Sequence, residues 1–320
     1  MDDVLGIGIL GWGGLARRSL APAMNALSGA NLLAIGTRFP TQAEKVPEGV
    51  EVTDYEGLLL KPEVGAIHLA NENQNHLPWA KRALEKGKHV LCEKPMVWGC
   101  PDQVEELRDL AKSRGLLLAE GFMYRHHGQY DMIKGLIKSG RIGLVHRLEI
   151  RFTYRLKDRS NIRWQRESWG GAMADVGCYG VDFSRWILGD PVKVQGFSHM
   201  DGTSGVDGTS SWLMAHANGA ISRVHVSMEE EQCQSILIYG DKGEIEIPHA
   251  FLSPPGKRVH FLVRDDKGQE VIKCEPNNTY LLEWKAFLKS IQIGTLIPPF
   301  EDGLENARVQ KKIIKNLELH

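Results

Sequence analysis

Lys94 stands in the tripeptide Glu93-Lys94-Pro95, directly after the apolar run His89-Val90-Leu91-Cys92. An ammonium at the end of a buried strand can face a ligand held above the strand ends, where it can give a proton or a charge to a reacting oxygen. Well upstream, Gly11-Trp12-Gly13-Gly14-Leu15-Ala16 matches G-x-G-x-x-[GA]. In that pattern Gly11 permits a tight turn, Gly13 lets backbone approach a pyrophosphate, and Ala16 is small enough for close helix packing. A helix opening behind the turn offers N–H groups and its positive dipole end to phosphates. A chain with 34 glycines makes glycine turns by chance, so the match carries weight only because a strand precedes it and a helix follows. Together the two motifs point to redox chemistry, with a lysine beside a nicotinamide.

The elements that must position these residues follow from periodicity. Residues 4–10 form an apolar run, and helical spacing continues through Leu15, Leu20, Met24 and Leu27. Strands are predicted at 31–36, 66–70, 89–92 and 116–120, with helices at 55–60, 77–86 and 103–114 between them. This alternation, to about residue 121, is the signature of an α/β Rossmann domain with a doubly wound parallel sheet. Beyond it the rhythm changes to one helix at 129–139 and strands at 145–154, 192–198, 210–217, 220–226, 234–240, 243–247 and 258–264. Turns such as Ala217-Asn218-Gly219 and Gly240-Asp241-Lys242-Gly243 separate them. The expectation is a cofactor domain over 1–121 and, over 122–320, an α+β domain for substrate binding and oligomerisation. Its large, mostly antiparallel sheet has a helix at 180–188 on one face and is open on the other, a surface for a homodimer or homotetramer. The last two helices, 280–291 and 304–317, can fold back on the first domain.

The second strand ends in Gly36-Thr37-Arg38. A carboxylate there would take the ribose hydroxyls of NAD, and none is present. Arg38 can pair with a 2′-phosphate while stacking on adenine, and Thr37 can donate to the same phosphate, which favours NADP(H) over NAD(H). The alternative is a solvated loop arginine.

Composition excludes several classes. With 39 basic against 40 acidic residues the chain has almost no net field, so nucleic acid is not an expected partner. Cys92, Cys100, Cys178, Cys233 and Cys274 contain no CxxC pair, which disfavours a disulfide framework or a zinc site and fits a reducing cytoplasm. Met1-Asp2-Asp3 lacks the features of a signal peptide, and no apolar run is long enough to span a membrane. His126 and His127 lack convergent ligand partners, so no metal is expected.

With these motifs in place, the sequence resembles the family of glucose–fructose oxidoreductase, inositol dehydrogenase and their relatives over essentially its whole length. The resemblance is carried by the glycine turn, by Ala70-Asn71-Glu72-Asn73-Gln74-Asn75-His76, and by the segment 87–95 ending in Glu93-Lys94-Pro95. Glu120-Gly121-Phe122-Met123-Tyr124-Arg125 and Gly170-Gly171-Ala172-Met173-Ala174-Asp175-Val176-Gly177-Cys178-Tyr179 complete it. Many members carry histidine where this chain has Tyr179. The tyrosine is similar to the branch that holds aldose dehydrogenases, dimeric dihydrodiol dehydrogenase and sugar ketoreductases.

The resemblance implies that Lys94 and Tyr179 are the catalytic pair, that Asp175 lies near the substrate, and that Arg163 and Trp164 lie near nicotinamide and substrate. It also implies that Gly11, Trp12, Gly13, Gly14, Leu15, Ala16, Thr37, Arg38, Ala70, Asn71, Asn73, His76, Glu93 and Lys94 surround the cofactor. A loop arginine stacked on an exposed tryptophan is the other reading of Arg163 and Trp164, and a core tyrosine with an aspartate cap is the other reading of an isolated Asp-x-Gly-x-Tyr. The chain departs from the family pattern where Ala70-Asn71-Glu72-Asn73 replaces Ala-Thr-Pro-Asn, at Gly128 in place of a frequent proline, and at Asp182 in place of an asparagine.

A tyrosine near pKa ~10 is a weak base unaided, and a neighbouring ammonium favours its phenolate. Either Tyr179 exchanges the proton while Lys94 tunes it, or the roles are reversed. The expected substrate is a sugar or polyol, first an aldose oxidised to a lactone. Alternatives are a trans-dihydrodiol, a keto-sugar, or a ping-pong sugar exchange on tightly bound NADP. A non-catalytic nucleotide sensor would need neither Lys94 nor Tyr179.

Overall fold

The computed structural model describes residues 4–253 and 256–319, so the acidic start Met1-Asp2-Asp3 lies outside them. The chain divides into two compact units, Met1–Met123 with Asn278–Leu304, and Tyr124–Asn277 with Glu305–His320. Where the sequence suggested one cut at residue 121, the fold returns a late segment to the first unit.

The first unit holds β1 (Leu5–Leu10), β2 (Ala30–Gly36), β3 (Glu51–Thr53), β4 (Ala66–Leu69), β5 (His89–Glu93) and β6 (Leu118–Gly121). All pair in parallel, in the order β3-β2-β1-β4-β5-β6. Helices α1 (Ala21–Asn25), α2 (Tyr55–Leu60), α3 (His76–Glu85) and α4 (Pro101–Ser113) connect them. Strands covered on both faces read as continuous apolar runs, and β1, β4 and β5 are buried almost throughout. Local chemistry sets the helix starts: Asp54 caps α2 by accepting from the Gly57 N–H at 2.6 Å, and Pro101 opens α4, where its missing N–H costs nothing.

One expectation changes here. The helix anticipated from Leu15 to Leu27 is a π-helical turn over Ala16–Leu20 followed by the short α1. Pro22 has no N–H, and its ring would clash with the carbonyl four residues back, so the wider turn accommodates it. β3 is three residues of mixed polarity, too short for a sequence pattern to declare.

The order 3-2-1-4-5-6 has a switch point at β1, whose neighbours β2 and β4 lead to opposite sides of the sheet. Ligands bind at such points, outside the carboxyl ends of the strands. The loops after β1, β2 and β4 meet there, tied by Gly11 N–H to Gly36 O at 2.9 Å and Ala70 N–H to Leu10 O at 2.8 Å.

The second unit contains α5 (Gly128–Lys138), β7 (Val145–Arg155), α6 (Cys178–Leu188), β8 (Pro191–Met200), β9 (Asp207–His216), β10 (Ile221–Ser227), β11 (Glu229–Gly240), β12 (Gly243–Ile247), β13 (Val259–Asp265) and β14 (Gly268–Cys274). After β14, α7 (Thr279–Ile293) rejoins the first unit. There Trp284 and Phe287 are fully buried in a core with Ile7, Ile9, Leu20 and Leu91. The chain then re-enters the second unit as α8 (Leu304–Asn316) and β15 (Leu317–Leu319).

The second sheet has nine strands in the order β14-β13-β12-β11-β7-β10-β9-β8-β15. It is mostly antiparallel, with β10 parallel to β7 and β15 parallel to β8. Leu148, Ile150 and Phe152 of β7 are buried on one face, while Arg147 and Arg151 on the other are about half exposed. The edge strand β14 escapes a sequence reading because all but its last residue is exposed or half-buried. The last helix stops at Asn316 rather than 317, and Leu317 turns inward to pair beside β8.

Asp182 sits on α6 with its side chain 1% exposed. Arg125 donates to it from Nε at 2.9 Å and from Nη2 at 2.6 Å, Asn306 Nδ2 at 2.9 Å, and the Tyr124 hydroxyl completes the set. Removing one partner of a buried pair leaves the other charge unanswered. Asp182→Ala should therefore cost the second unit about 3–5 kcal/mol, read from its denaturant midpoint. Arg125→Met with Asp182→Ala should cost clearly less than the sum of the single changes; strict additivity would mean the pair is not coupled.

Candidate active site

The first unit supplies a cradle at the switch point. Gly11 has φ of +109°, and a Cβ there would lie 2.6 Å from the Ala70 carbonyl and the Asn71 nitrogen, so only glycine lets the β4 loop close on the turn. At Gly13 a Cβ would meet nothing within 4 Å, which leaves backbone open to a ligand. Ala16 is buried against the sheet. The Asn71 amide is buried with neither its nitrogen nor its oxygen hydrogen-bonded. An orphaned amide beside an open glycine turn fits the polar groups of a dinucleotide. Gly14 and Leu15 lie on the same turn, and the Arg18 guanidinium rests near Gly14, a cation the sequence reading passed over.

Other expected cofactor residues take defined places. The Trp12 ring is core, its indole N–H donating to Glu44 O at 2.8 Å, so its backbone is what the turn presents. The Thr37 N–H bonds Thr53 O at 2.9 Å, and Arg38, 56% exposed at its side chain, pairs with Glu72. Asn73 opens a short 3₁₀ turn before α3. His76 is fully buried, with Nδ1 2.8 Å from the Pro95 carbonyl and Nε2 3.2 Å from the Asn71 carbonyl. Burial lowers its pKa, against the two carbonyls, which act to raise it. His76 thus joins the loop after β4 to the tripeptide that ends β5.

A buried chain of hydrogen bonds sets that tripeptide. Trp284 Nε1 donates to His68 Nδ1 at 2.8 Å, and His68 Nε2 lies 3.2 Å from Glu93 Oε1. An indole only donates, so Nδ1 accepts, Nε2 carries the proton, and Glu93 receives it. Glu93 therefore turns inward, whereas Lys94 next to it is half-buried, and the Lys94–Pro95 bond is cis. The Glu120 carboxylate takes the Met96 N–H at 2.9 Å. Glu283 is fully buried with neither oxygen hydrogen-bonded, and burial with Glu93 nearby raises its pKa well above the carboxylate range. His68 had a readable signal: a lone imidazole inside the buried strand Ala66-Ile67-His68-Leu69 must find a partner. Trp284 had none.

The second unit builds the start of α6. A π-helical turn, Met173–Gly177, carries Asp175 and runs into α6, which carries Tyr179. Tyr179 is 3% exposed, in ring contact with Tyr124, Phe152 and Phe251 at centroid distances of 5.8, 5.3 and 5.0 Å. Asp175 Oδ1 lies 2.9 Å from Arg163 Nε, and Oδ2 accepts the Tyr154 hydroxyl. Asp175 raises the Arg163 pKa, with Tyr154 and Tyr179 acting in the same direction. Burial and then Asp175 push the Tyr154 phenol up. Trp164 is buried, donates to Leu156 O at 3.2 Å, and is covered by Arg159 rather than Arg163, at 3.8 Å. Neither side of the loop-stack alternative therefore describes it. Tyr154 was missed because it ends an ordinary strand pattern.

The turn itself hangs on Asp207. Its Oδ2 accepts from Met173 N–H and Ser210 hydroxyl, both at 2.8 Å, and Gly171, at φ +107°, leaves it room, since a Cβ there would lie 2.1 Å from Oδ1. Burial pushes its pKa up to about 7. His126, by contrast, is lowered to about 3 by burial and by Arg125, which removes it as a neutral-pH acid. Among the described residues no group of three His, Cys, Asp or Glu side chains is placed to hold a metal ion, and no helix is long and apolar enough to cross a membrane.

A switch-point glycine cradle on a 3-2-1-4-5-6 sheet, with a second domain built on a large mixed sheet, defines an NAD(P)-dependent oxidoreductase of the two-domain class. The chain belongs to the GFO/IDH/MocA family: residues 5–122 match the oxidoreductase family model with NAD-binding Rossmann fold, and 130–246 match the GFO/IDH/MocA C-terminal domain. It is 32% identical to dTDP-3,4-didehydro-2,6-dideoxy-alpha-D-glucose 3-reductase of Saccharopolyspora spinosa, covering 90% of this chain and 88% of that one. It is 30% identical to D-xylose 1-dehydrogenase (NADP(+)) 2 of Haloferax volcanii, covering 96% and 94%. The crystal structure of a 3-ketoreductase from Actinomadura kijaniata with NADP and TDP-benzene superposes at a TM-score of 0.92, with 25% identity and 98% of both chains covered.

Asp207 gives a pH test. Below pH ~4 its carboxyl is protonated folded or unfolded. From there to about pH 7 the folded protein keeps a proton that the unfolded chain has lost. Stability therefore falls with rising pH, by at most about 1.4 kcal/mol per unit, and the loss is complete near neutrality. Asp207→Asn should remove this part of the slope, so that denaturant midpoints of variant and parent converge or cross between pH 5 and 8. Parallel curves would show that Asp207 does not hold its proton.

Proposed function

We propose that the protein transfers hydride between NADP(H) and a ring carbon bearing a hydroxyl or carbonyl in a carbohydrate. The observation that carries this reading is the Tyr154–Asp175–Arg163 set, donors and acceptors interlocked one helical turn before Tyr179. Such a set suits a substrate that presents several hydroxyls, and Arg163, 44% exposed, has donors left over. The bound cofactor would supply or accept the hydride at its nicotinamide. Tyr179 moves the hydroxyl proton, and Lys94 favours its phenolate and orients the reacting oxygen. Asp175 and Arg163 hold the substrate's other hydroxyls. The glycine turn, Asn71, Asn73 and His76 seat the nucleotide, while Thr37 and Arg38 take a 2′-phosphate.

Oxidation of an aldose to its lactone is the first assignment, supported by the likeness to the xylose dehydrogenase across 96% of the chain. Reduction of a keto-sugar carried on a nucleotide is the second, favoured by the 32% identity to the 3-reductase. A second copy of the chain is the partner proposed for the open face of the nine-stranded sheet. Phe197, Leu213 and Ile221 stand there at 53%, 50% and 46% exposure, in register with Arg151, Arg223 and Arg147.

Absorbance of reduced nicotinamide against a panel of aldoses, cyclic diols and keto-sugars, with both cofactors, separates the two assignments. Lys94→Ala and Tyr179→Phe should each lower kcat by about 100-fold or more while calorimetry still shows NADP bound. Near-normal rates in both would remove the pair from the mechanism. Arg38→Ala should weaken NADP selectively over NAD, and an unchanged ratio would remove the 2′-phosphate assignment.

A further inference from the structure

Arg38 has a partner that the dinucleotide motif does not explain. Its Nη2 is bonded to Glu72 Oε1, and the other oxygen of Glu72 accepts from Asn75 Nδ2 at 3.1 Å. The Glu72 side chain is only 14% exposed against 56% for Arg38, so the carboxylate is the anchored member and the guanidinium leans on it. Tyr55 lies within hydrogen-bonding reach of Arg38 and feels both charges, which marks a small polar niche rather than a chance surface pair. Arg38 follows β2 and Glu72 belongs to the loop after β4, the two strands that flank β1. A carboxylate thus stands beside the group expected to read the cofactor's 2′ position, although it comes from a different strand end than the one where an acid would be sought.

We propose that Glu72 is a specificity-determining residue, a built-in competitor of the cofactor's 2′-phosphate for Arg38 that narrows the preference for NADP over NAD. The proposal rests on the assignment of Arg38 to the 2′-phosphate. A phosphate approaching Arg38 must displace or share the guanidinium donors and meets the negative charge of Glu72. A free 2′-hydroxyl meets no such repulsion and can donate to the same carboxylate. Because one partner is more than half exposed, the ion pair is weak enough for phosphate to displace it, so Glu72 grades the preference and does not block NADP.

The test is titration calorimetry of NADP, NAD, adenosine 2′,5′-bisphosphate and AMP against the parent, Glu72→Gln, Glu72→Ala, Arg38→Ala and the Arg38→Ala, Glu72→Gln double variant. Gln keeps the length and the acceptor for Asn75 without the charge, and Ala controls for an amide that itself binds Arg38. Both Glu72 variants should raise the ratio of the NAD to the NADP dissociation constant about three- to tenfold, with the same change in the AMP to bisphosphate ratio. The gain should shrink when Arg38 is already alanine, to what the direct action of the Glu72 charge on the 2′ group leaves. If Arg38→Ala lowers the ratio while both Glu72 variants leave it at the parent value, the Glu72 proposal fails and the Arg38 assignment stands. If Arg38→Ala itself changes nothing, that assignment falls and the proposal falls with it.

Discussion

A carboxylate buried in the middle of a helix can remain charged only if the surrounding chain is arranged to meet it, and Asp182 imposes that arrangement on the second unit. Its two oxygens are met by the Arg125 guanidinium, the Tyr124 hydroxyl and the Asn306 amide. Tyr124 and Arg125 come from the segment that opens the unit, and Asn306 comes from α8 near the end of the chain. Tyr179 precedes Asp182 on α6 and packs its ring on Tyr124. The tyrosine expected to handle a proton is therefore held by residues whose own positions follow from the need to neutralise one buried charge. Replacing such a pair by apolar groups can leave stability unchanged, so its value lies in fixing where the helix start sits.

The first unit solves a similar problem with an imidazole between an indole and a carboxylate. His68 lies inside a buried strand and needs a partner at each ring nitrogen; Trp284 provides one and Glu93 the other. The indole fixes the tautomer, the tautomer fixes which nitrogen faces Glu93, and Glu93 is the residue before Lys94. In both units a late helix closes the network: α7 brings Trp284 to the first, α8 brings Asn306 to the second. The crossing of the chain between units near its end is thus a requirement of buried polar groups as well as of apolar burial.

The alternation of strand and helix, the glycine turn and the helix start at Asp175 and Tyr179 were legible because each is a local pattern with one physical solution. The family was legible because several such patterns recur in order. What escaped depends on distant partners. No periodicity distinguishes an α-helix from a π-turn when the deciding event is a proline that removes one donor, as at Pro22. β15 gains its hydrogen bonds from a strand far from it in sequence, and β14, although it follows β13 in a tight hairpin, has no apolar face to announce it. Trp284 reads as an ordinary core residue, and only its indole N–H, unsatisfied within its own helix, links it to His68. Glu72 was visible as a departure from a family loop, but its consequence appears only when Arg38 lies against it.

The geometry also alters how the proton-transfer problem is posed. Read from sequence, Tyr179 needs Lys94 because a phenol alone is a poor base. In its own unit, however, Tyr179 already interacts electrostatically with Arg163, and that cation is half spoken for by Asp175, which also takes the Tyr154 hydroxyl. A carboxylate placed between an arginine and a second tyrosine lowers the net positive charge that Tyr179 experiences while keeping the guanidinium in one orientation. Asp175 thus has two effects that a substrate-binding role alone does not require: it moderates the field at the tyrosine and locks the donor that would hold a substrate hydroxyl.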